Sequence, residues 1–394
     1  MTPIQPLAGV KILDFTQVMM GPSATQLLAD HGADVVKVER PGSGDLSRSG
    51  LGPQAGPDNA VFSSLNRNKR SIAIDLRASE GIDVVHDLVR WADVLVHNFR
   101  PGAMERRGLG YEDVRKIDPT VIYAVGSGYG PTGPLAHKGG QDVLAQALTG
   151  VMARKADPAH PLAIYATTLA DYSTGMHLVQ GILLALRVRD TTGEGQRVDA
   201  SLYDSMLSMQ MQEVSALLMD DRELNWAAYP LTGVFETADG ALVMVGAFKD
   251  EPLSAICRAL EIDDLTREER FATFEAQREH RSELQAQLAQ RFASRPTEHW
   301  LQRLEAEDLL CAPVQDLATA LAHPQTDHNG MVLEIPRDDA PPVKATASPL
   351  RFSATPARQP SPPPRLGEHG AEILDGLGYT PERIADLRTS GVVA

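Results

Sequence analysis

The chain has 394 residues, more than one hydrophobic core usually organises, so at least two domains are expected, not necessarily contiguous in sequence. Its 43% hydrophobic and 23% charged residues exclude a disordered or fibrous chain. The formal net charge of -15 disfavours nucleic acid or an anionic membrane as partner, because both require clustered positive surface.

At the N-terminus, MTPIQPLAGVKILDF lacks a basic stretch leading into a long apolar core. Nowhere do roughly eighteen apolar residues run together, so the expectation is a cytoplasmic protein, neither exported nor membrane-spanning. The first third then alternates short β-branched runs with longer amphipathic stretches: VKILDF (10–15), DVVKVE (34–39), SIAID (71–75), DVLVHN (93–98) and VIYAVG (121–126). That is the βαβ rhythm of a parallel, doubly wound α/β sheet. PSATQLLADHG between the first two runs reads as a helix, with Pro22 suited to its start and Gly32 to its end.

From Gly139 to about Leu218 the pattern is mostly helical, interrupted by GEGQRVDASL, a turn and strand. Residues 219–232 lose clean periodicity and read as a linker. VFETADGALVMVGA then alternates around Asp239-Gly240, the strongest hairpin signal in the chain. With the charged helices that follow, it predicts a small α+β domain over residues 225–325. Cys257 and Cys311 lie far apart in sequence without zinc or redox-pair spacing, as suits a reduced compartment. The Pro-rich TPARQPSPPPRLGEH is expected to run extended over a surface, and residues 326–394 to rejoin a large domain begun by residues 1–218.

The first strand–turn–helix invites a dinucleotide-binding reading, since Glu39 ends the second strand where a ribose-binding acid would sit. The turn TQVMMGP offers Met19 and Met20 in place of a GxGxxG fingerprint, which disfavours NAD or FAD. Arg40, Arg67, Lys69, Arg70, Arg100, Arg106 and Arg107 recur near predicted strand ends and loops. They are either solvated basic loops or an anion site outside the carboxyl edge of the sheet. His97 and His177 receive no role, and HExxH, GxSxG and EF-hand patterns are absent. Asp171 stands at the start of a long apolar helix, DYSTGMHLVQGILLALRVRD, where an aspartate is first of all a favoured N-cap.

Several ordered segments nevertheless give the chain a nearly end-to-end resemblance to the class III coenzyme A transferases: GPSATQLLADHGADVVKVERPGSGD, LNRNKRSIAIDL, HNFRPGAMERRGLGY, GQDVLAQALTG, LADYSTGMHLVQGILLALRVRDTTGEGQRVDASLYD and PRLGEH. The resemblance implies an intertwined, ring-like homodimer with a Rossmann-like large domain built from both termini. It implies coenzyme A, as substrate rather than tightly bound cofactor, at Val18, Arg40, Leu65, Lys69, Asn98, Phe99 and Arg106. It also implies an acyl-CoA donor and a carboxylic acid acceptor, with Asp171 as covalent nucleophile, its carboxylate held ionised by the helix N-terminus.

Two departures from the family are visible. The glycine-rich loop of formyl-CoA transferases is missing, since AAYPLTGVFETADG passes straight into the hairpin. The racemase branch has a histidine before its site aspartate, where this chain has Gly139-Gly140-Gln141-Asp142. Glutamine cannot exchange a proton at an α-carbon, which disfavours racemisation. Gln141 and Asp142 join Asp171 as candidate catalytic residues; Asp142 matches an acidic position of the transferases, and either assists acid–base steps or caps its own helix. A 2-methylacyl-CoA epimerase using Asp171 and a non-catalytic CoA-ester-binding subunit stand as alternatives.

Overall fold

The computed structural model describes residues 4–49, 59–246, 248–338 and 340–394. They form two compact units: residues 1–151, 164–210 and 324–394 make the first, 152–163 and 211–323 the second.

The first unit is built on six parallel strands: β1 (Lys11–Asp14), β2 (Asp34–Glu39), β3 (Lys69–Ala73), β4 (Val94–His97), β5 (Ile122–Ser127) and β6 (Arg197–Ser201). Their spatial order is β3-β2-β1-β4-β5-β6, with every neighbouring pair parallel. Side chains of consecutive strand residues point to opposite faces, and the core divides accordingly. Ile12, Val94, Val96, Ile122 and Ala124 pack to one side; Leu13, Leu95, Tyr123 and Val125 pack to the other. A strand buried on both faces is apolar at most positions, as VLVH is, and VVKVE keeps Lys37 and Glu39 buried with charged partners.

One face is covered by α1 (Met20–Asp30) and by α6 (Leu169–Thr192), through Ala24, Leu28, Leu178 and Ile182. The chain also contributes α2 (Ala60–Leu65), α4 (Tyr111–Ile117), α5 (Asp142–Leu148) and α7 (Leu202–Met209) to this unit. The opposite face takes α3 (Ser79–Trp91) together with Ile373, Leu374 and Leu387 from the C-terminal end. That end returns to the edge strand: the Ala394 N–H donates to the Ala73 carbonyl at 3.0 Å and the Asp75 N–H to the Val392 carbonyl at 2.9 Å. The Pro-rich segment crosses the same edge, with Asn68 Oδ1 accepting the Ser361 N–H at 2.7 Å.

The second unit carries a three-stranded antiparallel sheet, in which Ala241–Val245 pairs with both Thr232–Glu236 and Leu310–Pro313. The hairpin closes around Asp239 and Gly240, and the Thr237 N–H donates to the Gly240 carbonyl at 2.9 Å. Phe235, Leu242 and Met244 from the sheet meet Ile256, Leu288, Phe292 and Trp300 from flanking helices in a core of its own. This unit comprises residues 152–163 and 211–323. The aperiodic segment 219–232, expected as a linker, takes in the end of helix Met211–Asp220 and the turn Trp226–Ala228. Cys257 and Cys311 are free thiols. No helix among the described residues is long and apolar enough to cross a membrane.

Candidate active site

The order β3-β2-β1-β4-β5-β6 puts the topological switch point between β1 and β4. In an open parallel sheet, ligands bind in the crevice outside the carboxyl ends of the strands at that point. Val18 follows β1 there, Asn98 and Phe99 follow β4, and exposed Arg40 follows β2. Asn98 ties the two strand exits together: its Oδ1 accepts the Gln17 N–H and its Nδ2 donates to the Gln17 carbonyl, both at 2.8 Å. Phe99 stacks on His97 with ring centres 6.0 Å apart. Arg106 is exposed, in a short turn after β4.

Leu65 and Lys69 are placed differently. Leu65 is buried at the end of α2. The side chain of Lys69 has no solvent exposure. Its Nζ pairs with Asp14 Oδ2 at 3.1 Å, and donates to Asn66 Oδ1 at 2.8 Å and the Pro22 carbonyl at 3.2 Å. Burial lowers its pKa to about 8, against the opposing pull of Asp14. His97 is likewise buried, and loss of hydration brings its imidazole down to about 3, so it is neutral. The ring of His177 lies 2.9 Å from Ser205 Oγ.

Asp171 is the third residue of α6, whose N-cap is Thr168, so it is not the cap that its position in the sequence suggests. Its carboxylate accepts no hydrogen bond among the described residues, and it is only partly buried. The helix N-terminus therefore does not hold this carboxylate below the ordinary range, as its place at the helix start leads one to expect. Burial, and then the charge of Asp142, push its pKa up to about 6.

Asp142 is the first residue of α5, after Gln141 at the N-cap. Asp142 is 5% exposed, and its carboxylate serves another helix. Oδ2 accepts the Asp171 N–H at 2.9 Å, one of the orphan donors of the first turn of α6. Oδ1 accepts from Gln146 Nε2 at 2.6 Å. Gln146, 0% exposed, in turn accepts the Tyr165 N–H at 3.1 Å, fastening the segment that leads into α6. Gln141 itself is exposed and makes no capping bond.

Two close approaches allow this arrangement. A Cβ on Gly140 would lie 2.3 Å from the Cα of Gly128, just beyond β5, so only glycine lets the 139–142 segment pack there. A Cβ on Gly175 would lie 2.4 Å from Ser23 Oγ and 2.7 Å from the Met20 carbonyl oxygen, so α6 runs against the start of α1. Gly175 is one turn beyond Asp171, and the i, i+4 spacing sets both on one face of α6.

The sequence assigned no role to Asp14, Lys37 or Asp45, which prove to be buried charges around the β1 exit. The signal was present in DVVKVE: a lysine in the middle of a strand buried on both faces must have a partner.

The family model for CoA-transferase family III matches residues 7–370. An acyl-CoA transferase of Fusarium pseudograminearum is 38% identical, over 98% of this chain and 88% of that protein. A human succinyl-CoA:glutarate CoA-transferase is 34% identical over 100% of this chain and 91% of its own length. A formyl-CoA:oxalate CoA-transferase of Escherichia coli O157:H7 is 31% identical over 98% and 99%. Among solved structures, a CAIB/BAIF family protein from Brucella suis aligns with a TM-score of 0.84 at 32% identity, covering 95% of this chain and 99% of that one. A protein from M. tuberculosis aligns with a TM-score of 0.84 at 31% identity, over 94% and 99%. On this sequence and structural similarity, the chain belongs to CoA-transferase family III.

Proposed function

We propose that the protein moves coenzyme A between carboxylic acids by covalent catalysis at Asp171, and that the placement of this carboxylate beside Asp142 carries the reading. A carboxylate short of hydrogen bonds and raised to about 6 is more basic than an ordinary one, yet still mostly ionised at neutral pH. It attacks the thioester carbonyl of the donor, the C–S bond breaks, and CoA leaves as thiolate. The product is a mixed anhydride between the donor acyl group and Asp171.

The thiolate then attacks the aspartyl carbonyl, releasing the donor acid and leaving an aspartyl-CoA thioester. The acceptor carboxylate adds to that carbonyl and expels the thiolate, forming a second anhydride. Attack of the thiolate on the acceptor acyl carbonyl releases the new CoA ester and regenerates the Asp171 carboxylate. One thioester is exchanged for another, so no net redox change occurs.

Asp142 acts through Asp171 as a positioning residue. It holds the Asp171 main chain, and its charge keeps the neighbouring carboxyl basic. The CoA moiety is assigned to the crevice at the switch point, with Val18 and Phe99 giving apolar contact and Arg40 and Arg106 reaching phosphates. Lys69 and Leu65, both buried, would act behind that surface. Short dicarboxylic acids, with succinyl-CoA as donor, are the proposed substrate class. The succinyl-CoA:glutarate relatives and the direct passage from the turn Trp226–Ala228 into strand Thr232–Glu236 support it.

An interlocked homodimer accords with the exposed apolar side chains of α6, among them Leu183, Leu184 and Val188. The free thiols of Cys257 and Cys311 accord with a cytoplasmic setting. A matrix of acyl-CoA donors and free acids, read by mass spectrometry of the CoA esters formed, tests the reading. Dicarboxylate pairs are expected to exchange CoA fastest. If no acid accepts CoA from any donor, the assignment fails.

A further inference from the structure

Three consecutive residues at the β1 exit have their main-chain groups fixed by side chains from three other places in the fold. The Thr16 N–H donates to Asp14 Oδ1 at 2.8 Å, and the Thr16 carbonyl accepts from Lys37 Nζ at 2.7 Å. Gln17 is held through both its N–H and its carbonyl by Asn98. The Val18 N–H donates to Asp45 Oδ1 at 3.1 Å.

Lys37 and Asp45 are themselves joined, Nζ to Oδ2 at 2.8 Å, and neither side chain has solvent exposure. Asp45 is further set by the Ser47 N–H and hydroxyl, both donating to Oδ1 at 2.8 Å. Its own N–H donates to Glu39 Oε2 at 2.9 Å, and Arg48 pairs with both oxygens of Glu39 at 2.7 and 2.8 Å.

What this network holds is an unfavourable conformation. Val18 has φ of 65°, in the left-handed region that a β-branched side chain rarely adopts. Such a residue persists only where its surroundings over-determine it, and strain of this kind gathers at ligand-binding sites. Here it lies at the switch point of the sheet, and Val18 is still partly exposed.

We infer that the buried Lys37–Asp45 pair is a positioning device for coenzyme A recognition, holding residues 16–18 in the shape that receives the CoA ester before it arrives. Preorganisation of this kind removes the cost of ordering a loop on binding, so its loss falls on affinity. The inference rests on the reading of this crevice as the CoA site. Asp171 and Asp142 lie on α6 and α5, neither of which supplies a bond to the pair, so the chemical step is separable from the effect.

The test is CoA binding by titration calorimetry, together with steady-state kinetics, on the full chain. Asp45→Ala takes from buried Lys37 one of its opposing charges, the ion-pair partner at 2.8 Å, which endangers folding. The paired variant Asp45→Ala with Lys37→Met, which withdraws both charges, is therefore measured beside it. In the folded variant the Kd for CoA is expected to rise at least tenfold, KM for the CoA ester to rise in parallel, and kcat to fall less than threefold. A merely structural role would lower Tm and the active fraction with KM unmoved. If wild-type protein binds CoA and the folded variant binds it within twofold as tightly, the positioning role is overturned while the CoA site stands. If wild-type protein binds no CoA, the crevice assignment falls and the inference falls with it.

Discussion

The carboxylate of Asp142 accepts the main-chain N–H of Asp171 at 2.9 Å, so one acid caps the helix that presents the other. A capping bond of this kind contributes on the order of 1 kcal/mol. It also fixes a like charge beside Asp171, which adds to burial in raising the pKa of that carboxyl.

Replacing Asp171 with alanine should abolish transfer, with kcat falling by roughly three orders of magnitude or more, while CoA still binds. The same change should stabilise the protein at neutral pH by about 1 kcal/mol, because a partly buried carboxylate beside a second acid is a liability to the fold. Thermal melts at pH 7.5 beside single-turnover assays check both.

The pH profile should report the raised pKa. Only the ionised Asp171 attacks a thioester, so transfer should rise with pH through about 6 and level off above it. For stability the sign is opposite: folded Asp171 retains a proton that the unfolded chain has released, so its contribution declines from pH 3.8 to about 6. Asp142→Asn removes the like charge but leaves the burial. The acid limb of the rate profile should therefore move to lower pH, with kcat reduced about tenfold as the anchor of α6 weakens.

Acid unfolding should depend on Asp45. Despite burial, the charge and hydrogen bond of Lys37 hold its carboxyl at about 2, below the ordinary 3.8. The stabilisation is present above pH 3.8 and lost as pH falls toward 2, a contribution on the order of 2 kcal/mol. Urea titrations between pH 2 and 5 should show a shallower loss of stability for the paired Asp45→Ala, Lys37→Met variant than for wild type.

Gly140→Ala should be costly although its side chain is a single methyl. The new Cβ would lie 2.3 Å from backbone at Gly128, which cannot step aside as a flexible side chain would. A loss of about 1–3 kcal/mol is expected, together with reduced activity as the segment bearing Asp142 shifts. Ala substituted at Gly376, where nothing lies within 4 Å, is the matched control in a Tm and activity comparison.

Much of the sheet was legible because strands buried on both faces leave continuous β-branched runs. DVVKVE corresponds to β2 residue for residue, and the Asp239-Gly240 turn signal corresponds to the hairpin. The second unit's extent was not legible: residues 152–163 join it across a gap in the chain, and local periodicity carries no trace of that pairing. Asp171 and Asp142 were visible as residue types at helix starts, but which helix Asp142 caps is a tertiary fact. Lys69, in NRNKR, was expected in a solvated basic loop or facing a CoA phosphate. Only the fold shows its amine turned inward onto Asp14.

The central claim is that Asp171 becomes covalently acylated during transfer. Incubation with succinyl-CoA and hydroxylamine, without acceptor acid, followed by peptide mass spectrometry, tests it most directly. A CoA-ester-dependent hydroxamate is expected on Asp171 and on no other carboxylate, and none in the Asp171→Ala variant. Sustained transfer with Asp171 unmodified, or transfer at the wild-type rate by Asp171→Ala, would contradict it.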